Sequence, residues 1–160
     1  MTGPALKLEA RDYADPVVTE LVAAVQQEYV VRYGGQDRAV VDPAEFAPPD
    51  GLFLVGWLDG IAVACGGWRV HERPIGGAST VEIKRMYVAA AVRRSGLARV
   101  LLAELERTAR AAGHGYVLLN TGNGQPEAIA LYQASGYDEI DPFGYYRDAP
   151  LARFFGKPLV

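Results

Sequence analysis

"VRRSGLARVLLAELERTARAAG" (Val92–Gly113) opens with two arginines and a glycine, then becomes an apolar-striped helix with no recognisable capping box. A helix N-terminus already carries partial positive charge and favours anions, so the crowded cations of Arg93 and Arg94 call for a partner. The first N–H groups of a helix have no acceptor within it, and Gly96 lets a ligand approach the main chain closely. The pattern predicts a phosphate-type anion on the turn from Arg93 to Ala98. A plain strand–loop–helix connection with solvated arginines accounts for the same residues, and this stretch alone does not choose between the two. Leu97, Val100, Leu101, Leu105 and Ala109 form the apolar stripe, and Gly113 ends the helix.

The flanking segments set the topology. "VEIKRMYVA" before the turn reads as a long strand, and "YVLLNT" (Tyr116–Thr121) after the helix as another. A Gly-rich loop and a second amphipathic helix at "PEAIALYQASG" follow, and the Tyr- and Phe-rich tail predicts two final strands. Upstream, "ALKLEARDY" alternates as a first strand. "DPVVTELVAAVQQEYVVRYGG" has helical spacing with Pro16 in its first turn and Gly34–Gly35 as its stop. A short helix is expected at "PAEF", and two β-rich runs flank Asp59–Gly60, a dipeptide of tight type I′ hairpins. The order β-α-(α)-β-β-β-α-β-α-β-β implies a mixed-sheet α/β domain. With no repeat or linker, residues 1–160 are expected to form one domain.

Composition narrows the function. The 160 residues are 50% hydrophobic and 22% charged with net charge −3, ordinary for a globular chain and no argument for nucleic acid or an anionic membrane. Cys65 is the single cysteine and lies in the apolar run "IAVACGGW", so a buried structural thiol is expected, with no disulfide and no Cys/His metal site. The start "MTGPALKLEARDY" does not read as a signal peptide, and no apolar run is long enough to span a bilayer, so a cytoplasmic setting is the default. Nucleotide motifs fail as well. There is no GxxxxGK[ST], and "GNGQPE" places Glu127 where a dinucleotide fingerprint needs its third Gly.

Arg93–Arg94–Ser95–Gly96–Leu97–Ala98 matches the [QR]-x-x-G-x-[GA] acyl-CoA pyrophosphate loop of GNAT superfamily N-acetyltransferases. "VEIKRMYV" resembles that family's central strand, and "AIALYQASGY" (Ala128–Tyr137) resembles its later helix and strand, all in the right order. The match covers roughly the C-terminal half; the first half fits the element order without a specific signature. The resemblance implies a mostly antiparallel twisted sheet with a splayed central strand and flanking helices. It implies acetyl-CoA as co-substrate, no metal, and direct transfer to an amine in a ternary complex. Homodimerisation is compatible with it. A non-catalytic acyl-CoA-binding module, a longer acyl group, or a protein amine as acceptor remain the alternatives.

Residue roles follow from the same likeness. Arg93, Arg94, Ser95, Gly96, Leu97 and Ala98 would hold the pyrophosphate, while the main chain of Met86, Tyr87 and Val88 would pair with the pantetheine arm. Transfer needs a deprotonated amine, a polarised carbonyl and a proton for the thiolate. Glu82 lies between apolar Val81 and Ile83 and so faces away from them; the resemblance makes it the general base, and a surface pair with Lys84 is the alternative. Three consecutive apolar residues from Met86 break the alternation, where the family has a bulge. Tyr132 takes the general-acid position, with a buried packing role as the alternative. Gln125 stands where many members carry Asn; the resemblance would make it a cofactor contact, with the amide kept but on a longer arm. For the acceptor, Tyr29 and Tyr33 are candidates, with Arg32, Phe46, Trp68, Phe143, Tyr145, Tyr146 and Arg147 as further ones. Glu28 and Asp37 are candidate attractors for a cationic amine.

Overall fold

A computed structural model describes residues 5–160. Strand β1 (Lys7–Ala10) leads to helix α1 (Pro16–Tyr33), capped by the Asp15 carboxylate, which accepts from Val17 N–H at 2.9 Å. A single 3-10 turn at Pro43–Phe46 then precedes the hairpin β2 (Gly51–Leu58) and β3 (Ile61–Val70). Asp59 and Gly60 both sit at positive φ, +50° and +78°, as the type I′ reading requires. Strand β4 (Thr80–Val88), helix α2 (Leu97–Ala111), strand β5 (Tyr116–Gly122) and helix α3 (Pro126–Ala134) follow. The tail gives β6 (Asp138–Glu139) and β7 (Ala152–Pro158), with a loop between them. No described helix is long and apolar enough to cross a membrane.

The strands form one seven-stranded sheet in the order β1-β2-β3-β4-β5-β7-β6. Every adjacent pair is antiparallel except β4 and β5. Those two pair only from Thr80 to Glu82, against Tyr116 to Leu118, although both strands continue. The central strand is therefore splayed, and one edge of β4 runs unpaired from Ile83 to Val88. An unpaired strand edge offers N–H and C=O groups in register for an extended ligand.

Helices cover both faces. Val81, Ile83, Val117, Leu119 and Phe155 pack with Leu101, Leu102 and Leu105 of α2 in the main core. On the other face Val18 and Leu21 of α1 close over Phe46, Phe53, Val55 and Cys65. Cys65 is fully buried, its thiol faces Arg85 O at 3.3 Å, and burial pushes its pKa up to about 12; it is the structural thiol that its apolar setting predicts.

Two expectations need correction. Val100 is 48% exposed, while Leu102 and Glu106 are buried in its place. The helix turns a stripe of Leu101, Leu102, Leu105, Glu106 and Ala109 to the sheet, and Glu106 is tolerated because Tyr137 and Lys157 bond its two oxygens at 2.8 and 2.9 Å. The break in β4 also falls earlier than the run of apolar residues implies. Cys65 pairs with Tyr87 and Gly67 with Lys84, so Arg85 and Met86 together oppose Gly66. Arg85 takes φ +62°, and Lys84 and Arg85 both reach Asp37. Met86 and Val88 then return to the main core, with Tyr87 between them on the α1 side.

Candidate active site

The bulge builds the site. A non-glycine residue in the left-handed region costs on the order of 1–3 kcal/mol, and the surroundings of Arg85 hold it there. Its guanidinium, 5% exposed, pairs with Asp37 and lies 3.5 Å from the Tyr13 hydroxyl. Past the bulge the free edge of β4 borders a groove that runs to the start of α2, walled by α1 and α3.

At the end of that groove the chain rises through a 3-10 turn at Ala90–Val92 into a left-handed pair, Arg94 at φ +66° and Gly96 at φ +81°. Gly96 is the N-cap of α2 and supplies no side-chain acceptor. Val100 N–H, bonded to Gly96 O at 3.2 Å, closes the first turn of α2. The amides of the turn are thus left for an outside acceptor, and a Cβ on Gly96 would meet nothing within 4 Å. The cradle is open and built from backbone. The Ser95 hydroxyl turns inward to Val92 O at 2.5 Å.

The two arginines part ways. Arg93 donates to Val88 O at 2.7 Å, pairs with Glu28 of α1 and stacks over Tyr87 at 5.7 Å. It ties α1 to the turn, and Glu28 is thereby committed. Arg94 is exposed, as is Arg99 one helical turn on. Leu97 and Ala98 line the groove and pack against the main core.

Tyr132, in the last turn of α3, is 7% exposed and packs on Tyr137 and Phe155. Its hydroxyl points at the Met86 sulfur, 3.9 Å away, across the gap between β4 and α3. Burial pushes its pKa up to about 12, so the phenol stays protonated through the neutral range. Tyr29 borders the same groove, and burial raises its pKa too. Gln125 is the N-cap residue of α3; its Oε1 accepts from the Tyr33 and Thr121 hydroxyls, each at 3.3 Å. Tyr33 lies over Gly122 and Gly124, closing the turn between β5 and α3.

Glu82 does not pair with Lys84. It is 8% exposed, and its Oε1 lies 3.1–3.2 Å from Nη2 and Nε of Arg69, its neighbour across β3. Its other oxygen has no protein partner among the described residues. The carboxylate borders a second cavity of about 720 Å³, lined by Arg69, Lys84, Asn120, Phe143, Tyr145 and Tyr146 among others. Lys84 borders both the groove and this cavity. Glu82 thus borders the cavity and Tyr132 the groove, with Lys84 lining both.

The aromatic candidates divide by whether they line this cavity. Phe143, Tyr145 and Tyr146, from the loop after β6, do; Phe46 and Trp68 are core residues, 2% and 3% exposed. Asp37 is a structural anchor. Burial alone would raise its pKa, but Lys84, Arg85, the Ala39 N–H and the Tyr146 hydroxyl outweigh it and hold it below the ordinary carboxylate value. The contacts of Lys84 and Arg85 with Asp37 escape the sequence reading, because only the bulge brings these side chains together. No group of three or more His, Cys, Asp or Glu side chains arranged to hold a metal occurs among the described residues.

Comparison with known proteins agrees with this geometry. Residues 18–137 match the model of the Acetyltransferase (GNAT) family. An IAA acetyltransferase of Azospirillum brasilense is 36% identical over 142 residues, 89% of this chain and 90% of the relative. A Klebsiella pneumoniae chain provisionally described as an acyl-CoA N-acyltransferase is 30% identical and superposes with a TM-score of 0.78, covering 97% of this chain and 98% of that one. A GNAT family acetyltransferase from Elizabethkingia anophelis, solved with acetyl-CoA bound, shares the fold at 15% identity and a TM-score of 0.67, over 96% and 97% of the two chains.

Proposed function

The chain belongs to the GNAT acetyltransferase family, and on that premise we propose that it transfers the acetyl group of acetyl-CoA to a primary amine in a ternary complex. One observation carries the reading: the unpaired β4 edge, the capless start of α2 and the Tyr132 phenol border a single groove. The groove suits the co-substrate at each point. The left-handed turn at Arg94–Gly96 aims backbone N–H groups and a helix dipole outward, as a diphosphate requires. The free edge from Met86 to Val88 offers strand-like pairing to an extended amide-bearing arm. When bound, acetyl-CoA supplies an activated thioester.

The chain's own residues do the rest. Met86 N–H, at the bulge, is assigned to the acetyl oxygen, where a fixed donor stabilises developing negative charge. Glu82 takes the amine's proton through its free oxygen, directly or by way of water in the cavity. Arg69 holds that carboxylate in place. Tyr132 delivers a proton to the departing sulfur; burial keeps it protonated, and the same dry surroundings make a thiolate more basic than in water. Cys65 is sealed in the second core and cannot carry the acetyl group, which favours direct attack over a covalent relay. A small molecule is the favoured acceptor: the cavity of about 720 Å³ is of small-molecule size, and the Azospirillum relative carries a small-molecule name.

The test is thiol release from acetyl-CoA against a panel of small amines. Turnover with at least one amine, strongly reduced in Glu82→Gln, is expected. Tight cofactor binding without thiol release across the panel, unaltered in Glu82→Gln, would instead identify a binding module.

A further inference from the structure

We propose that the acceptor carries a carboxylate beside its amine and that the Lys84 ammonium receives it; this rests on the transferase reading above and names its substrate class. Lys84 is 7% exposed, yet its sole ionic partner among the described residues is Asp37 Oδ2, at 3.3 Å. That partner is already claimed. Arg85 pairs with the same oxygen, and Oδ1 accepts from Ala39 N–H at 2.9 Å and from the Tyr146 hydroxyl at 2.7 Å. Two buried cations thus share one carboxylate. A surplus buried charge is costly unless something pairs with it.

Arg69 answers two acids, Glu82 and Glu45, so three cations and three carboxylates balance in number and the imbalance is local: Lys84 and Arg85 share Asp37 while Glu82 keeps a free oxygen. Glu82 lies two residues back on β4 but is engaged by Arg69, which also reaches Glu45 at 3.3 Å. At the cavity mouth Glu72 is exposed, and Asp148 lies 3.8 Å from Arg147. The cavity therefore presents a separated pair of opposite charges on one strand, each with unused capacity. Glu82 has a free oxygen for an amine, and Lys84 has ammonium donors for an anion. Lys84 stands where the cavity meets the groove, so an anion held there brings a neighbouring amine to the transfer point. Phe143 and Tyr145 wall the remainder and suit an aromatic or apolar substituent.

Three probes separate the contributions: L-phenylalanine, phenethylamine and 3-phenylpropionate, titrated calorimetrically into the CoA-bound protein, with thiol release followed for the two amines. The two carboxylates are expected to bind at least about tenfold more tightly than phenethylamine, the increment of a charge-assisted hydrogen bond. Lys84→Met should erase that preference, and Lys84→Arg should restore part of it. Phenethylamine binding as well as L-phenylalanine, a preference surviving Lys84→Met, or no binding of either carboxylate at millimolar concentration would each overturn the proposal. Should Lys84→Met not fold, the wild-type ranking of the probes decides. Carboxylate-selective binding with no thiol release from any amine would sink the transferase reading alone. Thiol release from phenethylamine without a carboxylate preference would sink only this one.

Discussion

The groove along β4 and the cavity beneath the loop after β6 meet at Lys84 but are made of different material. The groove offers main chain: a strand edge released after Glu82 and a helix start whose cap has no side chain. The cavity offers side chains, mostly charged and aromatic, from five separate segments: the loop after α1, the end of β3, β4, β5, and the loop after β6. Backbone recognition survives most substitutions and suits a ligand that does not vary. Side-chain recognition is redrawn by single substitutions and suits a variable one. On the proposed reading, the contrast teaches that the fold fixes how the donor is held and leaves the acceptor to a few residues.

The contrast can be broken most sharply at Gly96. Glu in its place would strain a φ of +81° and set a carboxylate against the diphosphate, so CoA affinity should fall by about a hundredfold. Calorimetry on the folded variant checks this, and unchanged affinity would remove the backbone cradle from the account. Tyr132→Phe should lower turnover by about tenfold to a hundredfold while CoA affinity holds. Equal turnover would reduce Tyr132 to packing. With its pKa at about 12, Tyr132 should add no alkaline limb to the pH–rate profile below about pH 11.

Asp37 tests the cavity side. Its pKa is lowered in the folded protein, so its contribution to stability is present above the unfolded carboxylate pKa and is lost as pH falls through the folded value. Asp37→Asn should cost about 2 kcal/mol at pH 7 by stranding Lys84 and Arg85. The difference between variant and wild type should shrink in acid, as read by denaturant melts across pH. A gap that stays constant below pH 4 would remove Asp37 from the charge network. The smallest effect belongs to Val100→Ala, which should stay within about 0.5 kcal/mol of wild type because the side chain faces solvent.

The two regions also differ in how far the sequence reveals them. The groove lies in short contiguous stretches: the Arg93–Ala98 turn, the strand before it, and the "AIALY" helix. Their spacing and their likeness to a family were readable without coordinates. Element order was legible for the same reason, since Asp15, Asp59–Gly60 and the Pro126 helix start act locally. The Asp37–Lys84–Arg85–Tyr146 cluster was not, because its members lie up to 109 residues apart and converge only through the bulge. Alternation along β4 located a break, but the side chain that pivots is Arg85, and no local pattern marks an arginine for positive φ. Val100 was misplaced because apolar character alone does not fix which flank of a helix stripe meets the sheet.

The central claim is that bare amides at the start of α2 hold the donor's diphosphate. Amide-resolved NMR during a CoA titration tests it most directly. The account predicts that the N–H signals of Arg94 to Ala98 shift together and saturate with the binding isotherm. Saturable CoA binding that leaves those amides where they were would contradict it.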